Sequence, residues 1–255
     1  MAAYAAASAF LSSRHPERLA EFQLAMDILR TREDFQVQHL WGFLPQELLE
    51  EIRRISRSLS HEEIELHEAA SFGRWVLHDH PRLTEVQTGL TSFVSELAGE
   101  PLEPSYNFLS LYSRLGRCPI HMDAPQAKYT LDVCIQQSQP WDIHLSQIVP
   151  WPEAGIEGGS WDDTIRNDPE LSFKSYALKP GDAILFSGSS QWHYRDPIPS
   201  PARDEFCDLL FFHYIPLGTG KLVNPAQWPE IFCLPELAEL PEIRRHSCQA
   251  ITRWQ

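Results

Sequence analysis

The residues best suited to chemistry in this sequence are His121, Asp123 and His193. On an extended backbone residues i and i+2 point to the same face, so His121 and Asp123 can share one ligand-binding point. His193 follows the apolar run 183–186, which predicts a strand that can bring this imidazole beside them. Two imidazoles and one carboxylate on one face of a metal leave three positions open, an arrangement typical of non-haem Fe(II) sites. We therefore predict one metal site with these three ligands.

A basic residue follows the second histidine at a useful distance. Arg203 lies ten positions after His193, just before the strand-like run 207–215. A guanidinium can bind a carboxylate through two parallel hydrogen bonds, which lysine does less rigidly. Arg203 is therefore a candidate for binding a dicarboxylate close to the metal, and Arg195 is the next candidate.

The elements that position these residues change character near residue 104. Before it, apolar residues recur at helical spacing, and one alternating run predicts a strand over 35–44. The predicted helices are 16–30, 45–59 and 81–97. The predicted strands after residue 104 are 107–112, 129–136, 144–149, 173–177, 183–186 and 207–215. We predict a mainly β fold with a helical N-terminal layer.

The order of the motifs between about 107 and 216 resembles that of the iron(II)- and 2-oxoglutarate-dependent oxygenases, in their prolyl-hydroxylase-like and phytanoyl-hydroxylase-like branches. The residues that carry the resemblance are, in order, Tyr112, Gly116, His121-Met122-Asp123, Lys128-Tyr129-Thr130-Leu131, Glu157-Gly158-Gly159, Lys179-Pro180-Gly181-Asp182 through Phe186, His193 and Arg203. No single piece is specific, but the ordered set is.

The resemblance implies a double-stranded β-helix, which is a jelly-roll or cupin-like barrel. It implies that the three predicted ligands bind Fe(II) and that dioxygen takes the last open position. It further implies 2-oxoglutarate as the co-substrate, with Arg203 on its distal carboxylate and Tyr112 supplying a hydroxyl. The activity implied is hydroxylation of a C–H bond, coupled to conversion of 2-oxoglutarate into succinate and CO2.

Two positions bear on how far the resemblance extends. Halogenating relatives carry Gly or Ala where this chain has Asp123, so the carboxylate favours hydroxylation, desaturation or ring closure. Some relatives have Ser or Thr two residues after the arginine, whereas this chain has Glu205. The remaining contacts of the co-substrate are therefore left open.

Length and composition predict one domain over 1–255. It would consist of a mainly helical support region (1–103), a double-stranded β-helix core (104–216) and a C-terminal extension (217–255). The formal net charge of −14 disfavours nucleic acid as a partner. No apolar run approaches the roughly 18 residues of a membrane span, and five scattered cysteines favour reduced thiols in a cytoplasm. We expect a cytoplasmic monomer or homodimer with a small-molecule substrate.

Other candidate residues have simpler interpretations. His78-Asp79-His80 is followed by a proline and has no companion ligand, which indicates a loop before a helix. His213 and His144 lie in predicted strands and are interpreted as hydrogen-bonded wall histidines, while Trp161 is a candidate for the substrate pocket.

Two alternative functions stay open at this point. One is hydroxylation of a protein or peptide side chain, which the prolyl-hydroxylase-like spacing permits. The other is a non-catalytic jelly-roll binding module, which would be expected to have lost at least one ligand. Retention of His121, Asp123, His193 and Arg203 favours the enzyme.

Overall fold

The computed structural model describes residues 1–152, 161–198 and 204–245, and for Trp161 it describes the backbone alone. Two antiparallel β-sheets lie against a helical layer. The helices are α1 (Ala2–Arg14), α2 (Pro16–Asp27), α3 (Gln46–Ser58), α4 (Pro81–Ala98), α5 (Trp161–Arg166) and α6 (Trp228–Ile231). Three short 3-10 helices supplement them at Pro125–Ala127, Pro225–Gln227 and Pro235–Glu239. Among the helices of the described residues, none combines the length and apolar character that crossing a membrane requires.

The strands form a larger sheet of six and a smaller sheet of four. They are β1 (Gln38–Leu40), β2 (Arg74–His78), β3 (Leu102–Tyr112), β4 (Cys118–His121), β5 (Tyr129–Gln137), β6 (Ile143–Leu145), β7 (Lys174–Tyr176), β8 (Ala183–Phe186), β9 (His193–Arg195) and β10 (Cys207–Pro216). The larger sheet has the order β1-β8-β5-β10-β3-β2 and the smaller one β4-β9-β6-β7. Neighbouring strands in both are antiparallel.

The central strands of the larger sheet are buried on both faces. Every residue of β10 is buried, and alternate side chains point to opposite sides. Leu210 and Phe212 pack outward in the cluster that contains α3 and α4 residues. Leu209 and Phe211 pack inward with residues of the smaller sheet. The inward side chains therefore face a space between the two sheets.

Helices α3 and α4 begin and end where the sequence predicts. Pro45 precedes α3, which buries Leu49 and Ile52 one turn apart. Pro81 opens α4, and Gly99 ends it with a left-handed φ of 72° while its N–H donates to the last turn. These helices cover the outer face of the larger sheet.

The N-terminal helices pack against the C-terminal segment. Tyr4 and Phe22 stack at 5.7 Å, and Phe22 meets Trp228 and Phe232 edge to face at 5.4 and 5.0 Å. This second apolar cluster ties α1 and α2 to residues that follow β10.

Several strand predictions were wrong in extent. The strand predicted over 35–44 is only β1, and 144–149 and 173–177 shorten to β6 and β7. Three strands were missed, namely β2, β4 and β9. Each is five residues or shorter, and β4 contains Pro119 while β9 ends in an arginine. Pairing with neighbours, rather than local pattern, makes these segments extended. The mixed helical and antiparallel β architecture is confirmed.

Candidate metal centre

Two histidines of the candidate centre lie side by side on neighbouring strands of the smaller sheet. His121 ends β4 and His193 begins β9, and the two residues are directly paired in the antiparallel register. Their ring centroids are 4.2 Å apart. Asp123 follows β4 by two residues, and its backbone N–H donates to the carbonyl of Gly188 at 2.8 Å. Strand pairing and this loop contact thus bring together the three residues singled out from the sequence.

The three potential ligand atoms converge on one point. His121 Nε2 lies 3.4 Å from Asp123 Oδ1, and His193 Nε2 lies 3.8 Å from the same oxygen. All three atoms fall within 4.8 Å of one another, and they are the single such group of His, Cys, Asp or Glu in the described part of the chain. A metal ion bound at about 2.1 Å from each atom fits the separations of 3.4 and 3.8 Å between Asp123 Oδ1 and the two imidazole nitrogens.

Backbone carbonyls fix which imidazole nitrogen is free. His121 Nδ1 is 2.8 Å from the Pro119 carbonyl oxygen, and His193 Nδ1 is 3.0 Å from that of Gln191. Since a carbonyl only accepts, Nδ1 carries a proton in each ring, and Nε2 is the nitrogen that faces Asp123. Metal-binding histidines are oriented by such outer contacts. The residues present therefore fit a divalent metal.

The charge states also suit a metal. Burial, followed by the field of His121, lowers the pKa of His193 to about 4, so this imidazole is neutral at pH 7. Burial raises the pKa of Asp123, but His193 and His121 oppose it and the net pKa lies below the usual range. His193 and Asp123 therefore offer a lone pair and an anionic oxygen. Burial lowers the pKa of His121, but Cys118 and Asp123 raise it and the net pKa lies well above the usual value, so this imidazole gives up a proton when a metal binds.

Gly188 makes room for the Asp123 carboxylate. A Cβ on residue 188 would lie 2.4 Å from Asp123 Oδ2, 2.5 Å from the Ala127 carbonyl oxygen and 2.6 Å from Thr130 Oγ1. Real side chains do not approach this closely, so glycine is required. The sequence Ser187-Gly188-Ser189 is typical of a turn. It does not indicate that Gly188 makes room for Asp123, because that contact arises only in the folded protein.

The centre opens into a cavity between the sheets. Aromatic side chains line much of it, among them Phe72, Phe108, Phe186 and Phe211. Phe186 lies 5.1 Å from the His193 ring. Around the centre itself exposure is uneven, since 31% of the His121 side chain is exposed but only 6% of that of His193. The approach from outside is therefore on the His121 side.

Tyr112, predicted to contact the co-substrate, lines this cavity and is 2% exposed. Its hydroxyl accepts a hydrogen bond from Arg74 Nη1 at 2.7 Å, and burial raises its pKa. Arg74 also donates from Nε to Glu68 at 2.5 Å. The sequence interpretation missed Arg74, because β2 lies in the region predicted to be mainly helical.

The two arginines considered for the co-substrate have different outcomes. Arg203 lies outside the described residues. Arg195 lines the cavity and is 3% exposed, with Nη2 donating to Asp132 Oδ2 at 2.7 Å and Nη1 donating to the Trp141 carbonyl. The Arg195 charge is therefore already compensated by a buried carboxylate. Glu205 accepts a hydrogen bond from Ser138 Oγ.

The other candidate residues take up structural positions. Asp79 adopts a positive φ of 47° between β2 and α4, and its Oδ1 accepts from the Asn107 N–H at 3.0 Å. His144 bonds Ser175 Oγ at 2.8 Å and stacks on Tyr194, as a wall histidine does. The Trp161 side chain lies outside the described residues.

No protein-family model matches the sequence, and no curated protein matches it at a significant level. Solved structures do resemble it. The non-haem α-ketoglutarate-dependent epimerase SnoN of nogalamycin biosynthesis aligns with TM-score 0.56 and 18% identity, over 76% of this chain and 84% of that one. The α-ketoglutarate-dependent carbocyclase SnoK gives 0.56 and 12%, over 77% and 89%.

A third resemblance is to HygX from Streptomyces hygroscopicus, solved with nickel, 2-oxoglutarate and hygromycin B. It aligns with TM-score 0.52 and 12% identity, over 78% of this chain and 87% of that one. SnoN has likewise been solved with Fe3+, α-ketoglutarate and nogalamycin RO. At these identities the likeness establishes the fold. This chain therefore has the fold of the iron- and 2-oxoglutarate-dependent oxygenases, as the sequence resemblance implied.

Proposed function

We propose that this chain is an Fe(II)- and 2-oxoglutarate-dependent dioxygenase that hydroxylates a C–H bond of a small molecule. The observation that carries the proposal is the convergence of His121 Nε2, His193 Nε2 and Asp123 Oδ1 beside a cavity in this fold. These three atoms would hold the metal. The two facing antiparallel sheets support the double-stranded β-helix as the scaffold.

With Fe(II) and 2-oxoglutarate bound, the site would supply oxidation of a C–H bond coupled to conversion of the oxo acid into succinate and CO2. The chain's own part is positioning. The Nδ1 contacts of His121 and His193 hold both rings in the binding tautomer. The cavity's phenylalanines keep water from the reacting atoms, so the walls protect the reaction from side products.

The co-substrate would extend from the metal into the buried part of the cavity. Tyr112 is available there for its distal carboxylate, and two buried guanidiniums, Arg74 and Arg195, line the same cavity. We retain Arg203 as the main anchor, because it precedes β10. Because Arg74 is paired with Glu68 and Arg195 with Asp132, a further positive charge from Arg203 would support binding of a dianion.

A small molecule is favoured as the substrate. SnoN and HygX have been solved with nogalamycin RO and hygromycin B, which are small molecules. Epimerisation and ring closure also occur among the proteins with this fold. Retention of the Asp123 carboxylate supports hydroxylation, because this ligand fills the position that a halide would otherwise need.

The test is an incubation of anaerobically purified protein with Fe(II), 2-oxoglutarate, dioxygen and pools of small molecules. We expect succinate, and a product heavier by one oxygen atom, measured by mass spectrometry. A product lighter by two hydrogens would indicate ring closure or desaturation, and an unchanged mass with inverted stereochemistry would indicate epimerisation. His193→Ala, treated identically, is the control. Failure of the protein to bind Fe(II) and to form succinate in any pool would contradict the proposal.

A further inference from the structure

A third histidine faces the space between the sheets and is not one of the three candidate ligands. His213 lies in β10, opposite Thr130 of β5, and is 2% exposed. It lines the same cavity as the metal centre. Its nitrogens do not belong to the group of ligand atoms that lie within 4.8 Å of one another. His213 is therefore close to the centre without being a fourth ligand.

The orientation of the His213 ring is fixed from several sides. Nδ1 lies 3.0 Å from Thr130 Oγ1. The ring stacks on Tyr106 at 4.2 Å and on Phe108 at 5.4 Å, with interplanar angles of 26° and 29°. With Nδ1 committed to Thr130, Nε2 is the nitrogen left for a molecule in the cavity.

That nitrogen lacks a partner. His213 Nε2 is fully buried and makes no hydrogen bond to any of the described residues. Burial lowers the pKa of His213 to about 4, so the ring is neutral at pH 7. Native proteins rarely leave a buried polar atom unpaired, because the group loses water and gains nothing. His144, by contrast, has Ser175 Oγ on one nitrogen and Asp196 Oδ2 within 3.5 Å of the other.

We propose that His213 is a positioning residue whose Nε2–H donates a hydrogen bond to an oxygen atom of the 2-oxo acid bound at the open face of the metal. The inference rests on the proposed function and deepens it. In the tautomer that this role requires, the Thr130 hydroxyl donates to Nδ1 at 3.0 Å and the proton of the ring lies on Nε2. Thr130 would thus orient His213, and His213 would orient the 2-oxo acid.

The co-substrate is favoured over the substrate as the acceptor for a chemical reason. A molecule that is oxidised at carbon presents a C–H bond to the metal. A 2-oxo acid presents carboxylate and keto oxygens there, so the acceptors nearest the metal belong to it. We expect the hydrogen bond from His213 to hold the oxo acid in a single orientation.

The test compares three substitutions of His213 by calorimetry under anaerobic conditions, with Mn(II) or Fe(II) present. His213→Asn keeps a polar group near the Nδ1 position only, His213→Phe keeps the stacking only, and His213→Gln reaches the Nε2 position. We expect Asn and Phe to weaken 2-oxoglutarate binding about tenfold. Gln should recover affinity to within about threefold of the wild type. His144→Phe is the matched control and should bind like the wild type.

Metal affinity, measured without 2-oxoglutarate, separates positioning from a structural role. Metal affinity should be unchanged in all three His213 variants. The denaturant midpoint should be unchanged in His213→Asn and His213→Gln. The inference is overturned if Asn and Gln bind 2-oxoglutarate as the wild type does, or if both lose metal and co-substrate equally. If the wild type itself does not bind 2-oxoglutarate, the proposed function fails instead. If the Phe variant does not fold, the Asn and Gln pair decides.

Discussion

Arg195 Nη2 donates to Asp132 Oδ2 at 2.7 Å, and this ion pair joins the two sheets. Asp132 belongs to β5 of the larger sheet, and Arg195 ends β9 of the smaller one. Both side chains are at most 3% exposed. Arg195 is also two residues after His193 on the same strand face. The pair therefore fixes the strand that carries one candidate ligand.

Breaking this pair should be costly. Asp132→Asn leaves the Arg195 charge buried without a counter-charge, so we expect the free energy of unfolding to fall by about 3–5 kcal/mol. Urea denaturation measures this fall in the free energy of unfolding. Replacing both residues, by Asp132→Leu with Arg195→Met, should recover most of the loss because no buried charge remains. Glu51→Gln, which breaks the exposed pair with Arg82, is the control and should have a much smaller effect. Wild-type stability in Asp132→Asn would contradict the role given to the pair.

Loss of one imidazole should abolish metal binding. His193→Ala removes a ligand atom that no neighbouring group in the described structure replaces, and we expect no bound metal by elemental analysis and a circular dichroism spectrum like that of the wild type. Mn(II) should raise the wild-type melting temperature, since a ligand at 100 times its Kd stabilises by about 2.7 kcal/mol. The variant should show no such rise. His144→Ala, outside the centre, should retain the metal, and full occupancy in His193→Ala would disprove the ligand assignment.

A single methyl group beside the carboxylate should also weaken the metal site. Gly188→Ala forces Asp123, the Ala127 carbonyl or Thr130 to shift, because the new Cβ would lie within 2.6 Å of all three. We expect metal affinity to fall at least tenfold, measured by competition with a chelating dye. Gly89→Ala in α4 is the matched control, because a Cβ there meets nothing within 4 Å. It should bind metal normally and gain about 0.5–1 kcal/mol of stability from helix propensity. Equal metal affinity in both variants would contradict the role of Gly188.

The co-substrate anchor is tested most directly at Arg203. Truncating one partner of a buried charged pair costs about 2–5 kcal/mol, so Arg203→Ala should weaken 2-oxoglutarate by roughly 30- to 5,000-fold. Arg203→Lys should recover part of the affinity, because the charge remains. Metal binding should be unaffected in both, as measured by calorimetry. A change below about fivefold would move the anchor to Arg195 or Arg74, which line the cavity.

The sequence predicted those parts of the molecule that depend on local spacing. The spacing of two residues was enough to predict that His121 and Asp123 lie together, although Asp123 follows the end of β4. Pro81 and Gly99 mark the limits of α4. Features created by register between distant strands were not predictable. Thr130 meets His213, and Asp132 meets Arg195, only after β5 has paired with β10 and the sheets have packed. Arg74 was missed for the same reason, because β2 is extended by pairing with β3.

The direct pairing of His121 with His193 also determines when a metal can be acquired. The two residues are separated by about seventy residues of chain, so closing that loop must precede their meeting. An ion encountering the unfolded chain would find His121 and Asp123 close together, but His193 far away. The complete set of three ligands therefore exists only once β4 has paired with β9.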